Sequence, residues 1–426
     1  MSKFTLTLVA SFLWASLAIG AGFNIGEFGG RSAAMGNAVI AQAYDASTIF
    51  YNPAGLGFLQ GTHFYGGVTG IYAQAKFVGA APVLPNTVYN AKKQFFPPVG
   101  IYFSHQFTEK FAAGIGVTNP FGLGLEWGDD FPGRAISKNV DLKSFYISPV
   151  IAYQISPNFS LGVGVDVVLT TVTLQRNVIV FNTEGVPGTG TEVGDVVLDG
   201  NGDPAIGFSA GLMYHSDRVG VGVSYRHSVS PEFKDADANF TIFSNTDPKI
   251  AAVASQLLTD QKGGAKMDFP GILAAGIYYK FTEKFGAEVS YAYYNWSVFD
   301  KINLTFDNPD LNQTIPENYD NSSQVRIGTH YEVTENFSIR AGYIWDETPQ
   351  PIESVSPLLP DDTRNDYSIG FGYKAGKITI DAGYMFVDIG ERTTIENGVG
   401  KNDNGFNGTY NSRADIFLLS FGYAFK

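Results

Sequence analysis

The sequence predicts an all-β fold: an antiparallel transmembrane barrel of about fourteen strands, its lumen stoppered by its own N-terminal segment. Three observations carry that prediction. From Thr62 onward, runs of roughly ten residues alternate bulky apolar side chains with glycine, serine or charged ones. Short turns and long polar loops connect these runs in alternation. The chain closes on Phe417, Leu419, Phe421, Tyr423 and Phe425, an alternating aromatic terminus typical of outer-membrane barrels, although Lys426 follows where such termini usually finish on the aromatic itself.

Taken in order, residues 1 to 20 read as a secretory signal: Lys3, an apolar run from Phe4 to Leu17, then Ala18-Ile19-Gly20 with small residues before the cut. The mature chain is expected to begin at Ala21. Beyond it no run of about 18 apolar residues occurs, which excludes a helical membrane protein. Of 426 residues none is cysteine, so neither disulfides nor thiolate metal sites hold the fold. A formal charge of −13 with no cluster of lysines and arginines argues against a nucleic-acid partner.

Residues 21–61 form the expected plug, or hatch. Within it, STIFYNPAGLGFL (Ser47 to Leu59) is apolar but follows neither the period of a helix nor that of a strand. Pro53, Gly55 and Gly57 are expected to keep it out of regular structure. Residues 62–426 form the expected barrel. Phe159, Leu161, Val163, Val165, Val167 and Leu169 face one way, with Ser160, Gly162, Gly164 and Asp166 opposite, and Val219 to Ser228 and Phe337 to Asp346 repeat the partition. Gly100, Gly114, Gly116, Gly162, Gly164, Gly220, Gly222, Gly328, Gly342, Gly370, Gly372 and Gly422 all fall on the lumenal parity, where glycine marks close backbone approach, here by the plug. A soluble sandwich would also bury one face, but it explains neither the length of the strands nor the aromatics at their ends.

Short turns at 108–110, 156–158, 216–217, 282–284, 334–336 and 375–377 close one end. Long loops near 78–94, 119–139, 177–203, 232–265, 301–320, 347–365 and 391–411 crown the other, which places both termini on the periplasmic side. Asn119-Pro120 removes a ladder donor, so the third strand is expected to part from its neighbour there and leave a hole in the wall.

Several motifs in order carry a resemblance: Ala21-Gly22-Phe23, Asn52-Pro53-Ala54, Thr118-Asn119-Pro120-Phe121-Gly122 with Gly133-Arg134, Asn295-Trp296-Ser297-Val298-Phe299, Arg340-Ala341-Gly342 through Asp346-Glu347-Thr348-Pro349, and Gly422-Tyr423-Ala424-Phe425. Over the whole mature chain they resemble the FadL/TodX (OmpP1) family of outer-membrane transporters of long-chain fatty acids and other hydrophobic compounds. The resemblance implies a monomeric barrel with a hatch, a kinked third strand opening a lateral gap, and substrate sites between the outer loops and inside the barrel. It implies that Asn52, Pro53 and Ala54 are the hatch motif and that Gly114, Gly116, Thr118, Asn119, Pro120, Phe121 and Gly122 form the kink. It places Ala21, Gly22 and Phe23 near the internal pocket.

Lumenal cations are the natural partners of a fatty-acid carboxylate: Arg176, Arg226, Arg326 and Arg340, with Arg31 in the plug. The plain alternative is that each pairs with Asp166, Glu288 or another lumenal carboxylate and only supports the interior. The acidic outer loops (Asp129-Asp130, Glu192, Asp195, Asp307, Asp310, Asp361-Asp362) read as a solvated face, or as a divalent-bridged contact with lipopolysaccharide. Asp199 to Asp203 opens like a calcium loop, but Pro204 and Ala210 stand where such a loop needs glycine and glutamate. Ile250 to Leu258 reads as a short loop helix, either part of an outer apolar groove or a packed cap. The five histidines have no Gly-x-Ser-x-Gly elbow to serve, so a lipid hydrolase is not supported. No cofactor or metal is called for, and the expected partners are a hydrophobic ligand and outer-membrane lipid. Two other functions stay open: a channel for aromatic or aliphatic hydrocarbons, and a general porin, which would leave residues 21–61 without a role.

Overall fold

The computed structural model describes residues 22–81, 84, 86–180 and 191–425; the expected signal segment (1–20), Ala21, residues 82, 83, 85 and 181–190, and Lys426 lie outside them. Among the described residues the strands join into fourteen antiparallel staves that close on themselves. The first eight are β1 (Thr62–Gly79), β2 (Val99–Gln106, preceded by Val88–Asn90 and Gln94–Phe96), β3 (Phe111–Thr118 with Gly122–Glu126), β4 (Asn139–Ser156), β5 (Phe159–Val180), β6 (Thr191–Asn201 with Ala205–His215), β7 (Val219–Arg226 with Glu232–Ile242) and β8 (Gln261–Lys266 with Ile272–Lys280). The remainder are β9 (Phe285–Tyr294 with Lys301–Phe306), β10 (Gln313–Pro316 with Ser322–Glu332), β11 (Phe337–Asp346), β12 (Arg364–Ala375), β13 (Ile378–Thr393) and β14 (Gly408–Ala424). β14 pairs with β1 from His63↔Ala424 to Gly79↔Gly408, so the first and last strands leave no free sheet edge.

Alternation decides which face meets the bilayer. Val163, Val221 and Phe421 stay 45%, 39% and 43% exposed, while their neighbours Ser160, Asp166 and Ser420 are buried in the lumen. Apolar side chains left uncovered all round a barrel belong against hydrocarbon. Tyr72 lies 4.9 Å from Phe95 and 5.9 Å from Phe417, part of an aromatic girdle near the outer interface. At the other end three turns share one device. Thr108, Thr282 and Thr334 each accept, through Oγ1, a 3.0 Å hydrogen bond from the amide three residues on, which explains the recurring Thr-Glu pair.

Three of the expected long loops are largely strand. Residues 191–201, 232–242, 261–266, 301–306 and 313–316 carry β6 to β10 well beyond the membrane. Above the bilayer no lipid enforces an apolar outer face, so these extensions read as polar loop in the sequence. The helix within them, α3, runs Pro248–Leu257 rather than from Ile250. Asp247 caps it and Pro248 supplies the first helical position. Of its residues Ala254 alone is buried, which leaves Val253 and Leu257 exposed.

Residues 22–61 lie within the ring. They form α1 (Gly30–Ala34), α2 (Thr48–Tyr51) and a 3₁₀ turn over Pro53–Phe58. That turn corrects the expectation of irregular chain. Pro53 sits at its first position, where no N–H is needed, and Asn52 caps it by accepting from Ala54 N at 3.2 Å.

Candidate functional site

The lumenal glycines set where the leading segment rests. A Cβ on Gly162 would fall 2.4 Å from the Pro53 carbonyl carbon, on Gly220 2.2 Å from Ala41 O, and on Gly328 2.4 Å from Met35 O. Gly100, Gly114, Gly116, Gly222, Gly342 and Gly370 meet the segment in the same way, whereas Gly164, Gly372 and Gly422 face side chains of neighbouring staves. Polar groups then fix it. Glu288 on β9 accepts from Ile40 N (2.6 Å), Ala41 N (3.1 Å) and Gln42 Nε2 (2.7 Å). Asn52 donates to Ile40 O and to Leu212 O of β6, while Gly30 N and Gly36 N donate to Ser420 and Ser368. Since the segment has little regular structure, these wall groups satisfy backbone that would otherwise be stranded.

Among the described residues the pairing of β2 with β3 stops part-way along β3. β2 pairs with β3 from Gln106↔Ala112 up to Ile101↔Val117. Beyond that point Gly122–Glu126 pairs with β4, and the pieces of β2 at 88–90 and 94–96 pair with β1. Three prolines explain the parting. Pro97 and Pro98 on one jamb and Pro120 on the other offer no N–H donors. Below the gap Asn119 bridges it, its Oδ1 accepting from Val99 N (3.0 Å) and its Nδ2 donating to Ser144 O of β4 (2.8 Å). Above it, Lys92 N donates to Glu126 O at 2.8 Å and the two side chains form an ion pair. The freed backbone of the kink is taken up by the start of the leading segment: Ile25 N donates to Pro120 O (2.8 Å) and Gly122 N to Phe23 O (3.0 Å).

Phe23 is fully buried in an aromatic box, its ring centroid 4.8 Å from Trp296, 5.1 Å from Phe299, 5.7 Å from Phe269 and 6.1 Å from Phe121. Gly22 N donates to Asp361 Oδ2 (3.0 Å), which also accepts from Thr348, and burial pushes the Asp361 carboxyl up to about 7.

Three cavities follow one another through shared lining residues, and the middle one reaches this box. The outermost, about 770 Å³, lies between the strand extensions and is lined by Leu174, Val196, Leu198, Ile302, Leu304, Phe306, Arg176 and Glu317 among others. A second, about 440 Å³, shares Leu174, Ile302, Glu317 and Leu358 with the first and reaches Phe23. The third, about 460 Å³, shares Leu123 and Leu359 with the second and is lined by Ala73, Ala75 and Ala91 on one side of the unpaired stretch and by Leu123 and Leu125 on the other. Burial pushes the Glu317 carboxyl up to about 8 in the connection above the membrane-spanning part of β10.

The arginines divide. Arg226 is held by Asp166 (2.5 Å) and donates to Phe50 O. Arg340 is held by Asp381 (2.6 Å) and Ser338. Arg326 donates to Gln324, Tyr294 OH and Asn37 O, and lines a deeper polar cavity with Arg226. Arg31 lies 3.6 Å over the ring of Tyr44. Arg176 is the cation of the outer apolar cavity, and among the described residues no carboxylate lies within ion-pair reach of it. Glu288, expected as a partner for a lumenal arginine, instead anchors residues 40–42; Lys92 and the Pro97-Pro98 pair are absent from the expectations, and of these the double proline is the signal the sequence offers.

Residues 11–425 match the family model described as outer membrane protein transport protein (OMPP1/FadL/TodX). Outer membrane protein P1 of Haemophilus influenzae is 26% identical, the match covering 91% of this chain and 90% of the relative. The long-chain fatty acid transport protein of Salmonella typhi is 24% identical over 98% of this chain and 97% of its own. Among solved structures, a Pseudomonas aeruginosa FadL homologue superposes with a TM-score of 0.83 at 20% identity, over 95% of this chain and all of that one. The Pseudomonas putida toluene transporter TodX gives 0.70 at 16% identity, over 93% and 98%.

Proposed function

Because the chain belongs to the OMPP1/FadL/TodX family of outer-membrane transport proteins, carriers of hydrophobic compounds rather than enzymes, we propose that its cargo is a long-chain fatty acid. The observation that supports this reading is Arg176, a cation facing a large apolar cavity with no ion-pair partner among the described residues; Glu317 lines the same cavity, but burial pushes its carboxyl up to about 8. A hydrocarbon has no use for a half-buried charge, and a guanidinium without a counter-ion is costly to keep in an apolar setting. A fatty-acid carboxylate compensates it with a charge-assisted hydrogen bond. Each tail methylene removed from water contributes about 0.8 kcal/mol, so the tail supplies most of the affinity and the head group the selectivity.

On this reading residues 1–20 are the export signal, 21–61 the hatch and 62–426 the barrel. The acid enters the outer cavity head-first to Arg176, and its tail extends towards the box that Phe23 occupies. It leaves sideways into the bilayer through the gap bounded by Pro97, Pro98 and the kink from Gly114 to Gly122. Asn52, Pro53 and Ala54 hold the hatch against β6 so that the lumen stays closed to small solutes. Arg226 and Arg340 brace the interior through Asp166 and Asp381. Arg326 is a second place for the carboxylate deeper in the lumen.

Native mass spectrometry of the purified protein after detergent exchange tests the cargo. Bound long-chain fatty acid, lost in Arg176→Gln, is the expected result. A monoaromatic or aliphatic hydrocarbon in its place, bound equally by both proteins, would overturn the proposal in favour of hydrocarbon uptake.

A further inference from the structure

The wall gap has a charged lintel whose role the transport route leaves unexplained. Lys92 lines the cavity behind the gap, with Gln74, Ala75, Leu123 and Leu125. Its ammonium pairs with Glu126 on the opposite jamb, and the two side chains remain 53% and 32% exposed. They sit just beyond the girdle of Tyr72, Phe95 and Phe417, at the level where lipid head groups begin. Behind the gap the buried Ala73, Ala75, Leu123 and Leu125 give a tail apolar contact, and Lys92 is the cation of the lining, beside Gln74, Asp361 and Ser412. An acid sliding out therefore needs a polar station for its head group, because a bare carboxylate in an apolar passage is costly.

Resting on the fatty-acid reading above, we infer that Lys92 is the exit-side head-group residue: the departing carboxylate replaces Glu126 on the Lys92 ammonium while the tail enters the bilayer through the gap. Glu126 keeps the lysine occupied and correctly placed between passages. The exchange is of one carboxylate for another on a single cation, so no charge is left uncompensated when Glu126 turns to water. Lys92 is then a positioning residue for release, distinct from capture at Arg176.

Transfer into liposomes of a long-chain fatty acid and of the alcohol of equal length separates this from a merely structural clasp, with tryptophan quenching as the measure of binding. In Lys92→Gln, acid transfer is expected to fall roughly ten- to a hundredfold, the value of one charge-assisted contact, with alcohol transfer and acid binding unchanged. Glu126→Gln, which breaks the same clasp but keeps the cation, should not slow the acid. Equal effects of both variants on acid and alcohol would show that the pair only holds the wall and would overturn the inference. So would unimpaired acid transfer in Lys92→Gln. Loss of acid preference in wild-type binding would instead remove the fatty-acid reading and this assignment with it.

Discussion

Glu288→Ala tests whether the leading segment is a separable stopper. The carboxylate receives three hydrogen bonds from consecutive residues, at 2.6, 3.1 and 2.7 Å from Ile40 N, Ala41 N and Gln42 Nε2. All three donor residues are buried. A buried donor left without an acceptor costs about 1–3 kcal/mol, so the substitution removes roughly 3–9 kcal/mol of local holding energy, less whatever water entering the vacated space restores. Other anchors remain at Asn52, Gly30 and Gly36, so the segment should loosen around residues 38–42 without leaving the barrel. Planar-bilayer recordings should show larger or more frequent openings than wild type. Amide exchange at residues 40 and 41 should accelerate, and Glu288→Gln, which keeps one acceptor oxygen, should fall between. Heat-modifiable migration on gels reports the barrel, which should stay folded. Unchanged conductance together with unchanged exchange would refute the reasoning; so would collapse of the barrel, which would make the segment a core element.

Three further outcomes follow from the same geometry. Arg176→Gln should weaken binding of a long-chain acid by about ten- to a hundredfold, the equivalent of roughly 1.5–3 kcal/mol for a charge-assisted contact, and leave the matching alcohol unaffected in a fluorescence titration. Removal of residues 22–61 from the mature protein should leave a barrel that still migrates as folded but conducts steadily. Acid binding should weaken as pH rises through about 8, because Glu317, neutral below that value through burial, then gains a negative charge inside the cavity that holds Arg176. The folded-state value is raised, so the cost appears above it and vanishes below; titrations at several pH values should show the slope in wild type and none in Glu317→Gln.

Much of the wall was readable because its determinants are local. Lipid on one side and a crowded lumen on the other impose a two-residue period, and Thr108, Thr282 and Thr334 close turns with their own hydroxyls. Where the outer face of a strand meets water instead of lipid, as in Thr191–Asn201 or Gln261–Lys266, only the buried face keeps its pattern and strand reads as loop. The Pro53–Phe58 turn was misjudged because proline and glycine signal breakage in general, while Asn52 turns this proline into a helical start. Lumenal parity identified the arginines, but Asp166 on β5 and Asp381 on β13 lie 60 and 41 residues from Arg226 and Arg340, and no local pattern reveals such pairing. Arg176 looked no different from them in sequence. Its distinction lies in what the fold leaves beside it.

Trp296 stands 4.8 Å from Phe23 in the box that the second cavity reaches, so its fluorescence reports on the space the tail is assigned to. Titrating the wild-type protein with a long-chain fatty acid and with its alcohol, and reading quenching of that tryptophan against a Trp296→Phe control, is the most direct measurement. Tighter binding of the acid by about tenfold or more, with saturable quenching that the control lacks, is the predicted result. Equal affinities, or quenching that does not involve Trp296, would contradict it.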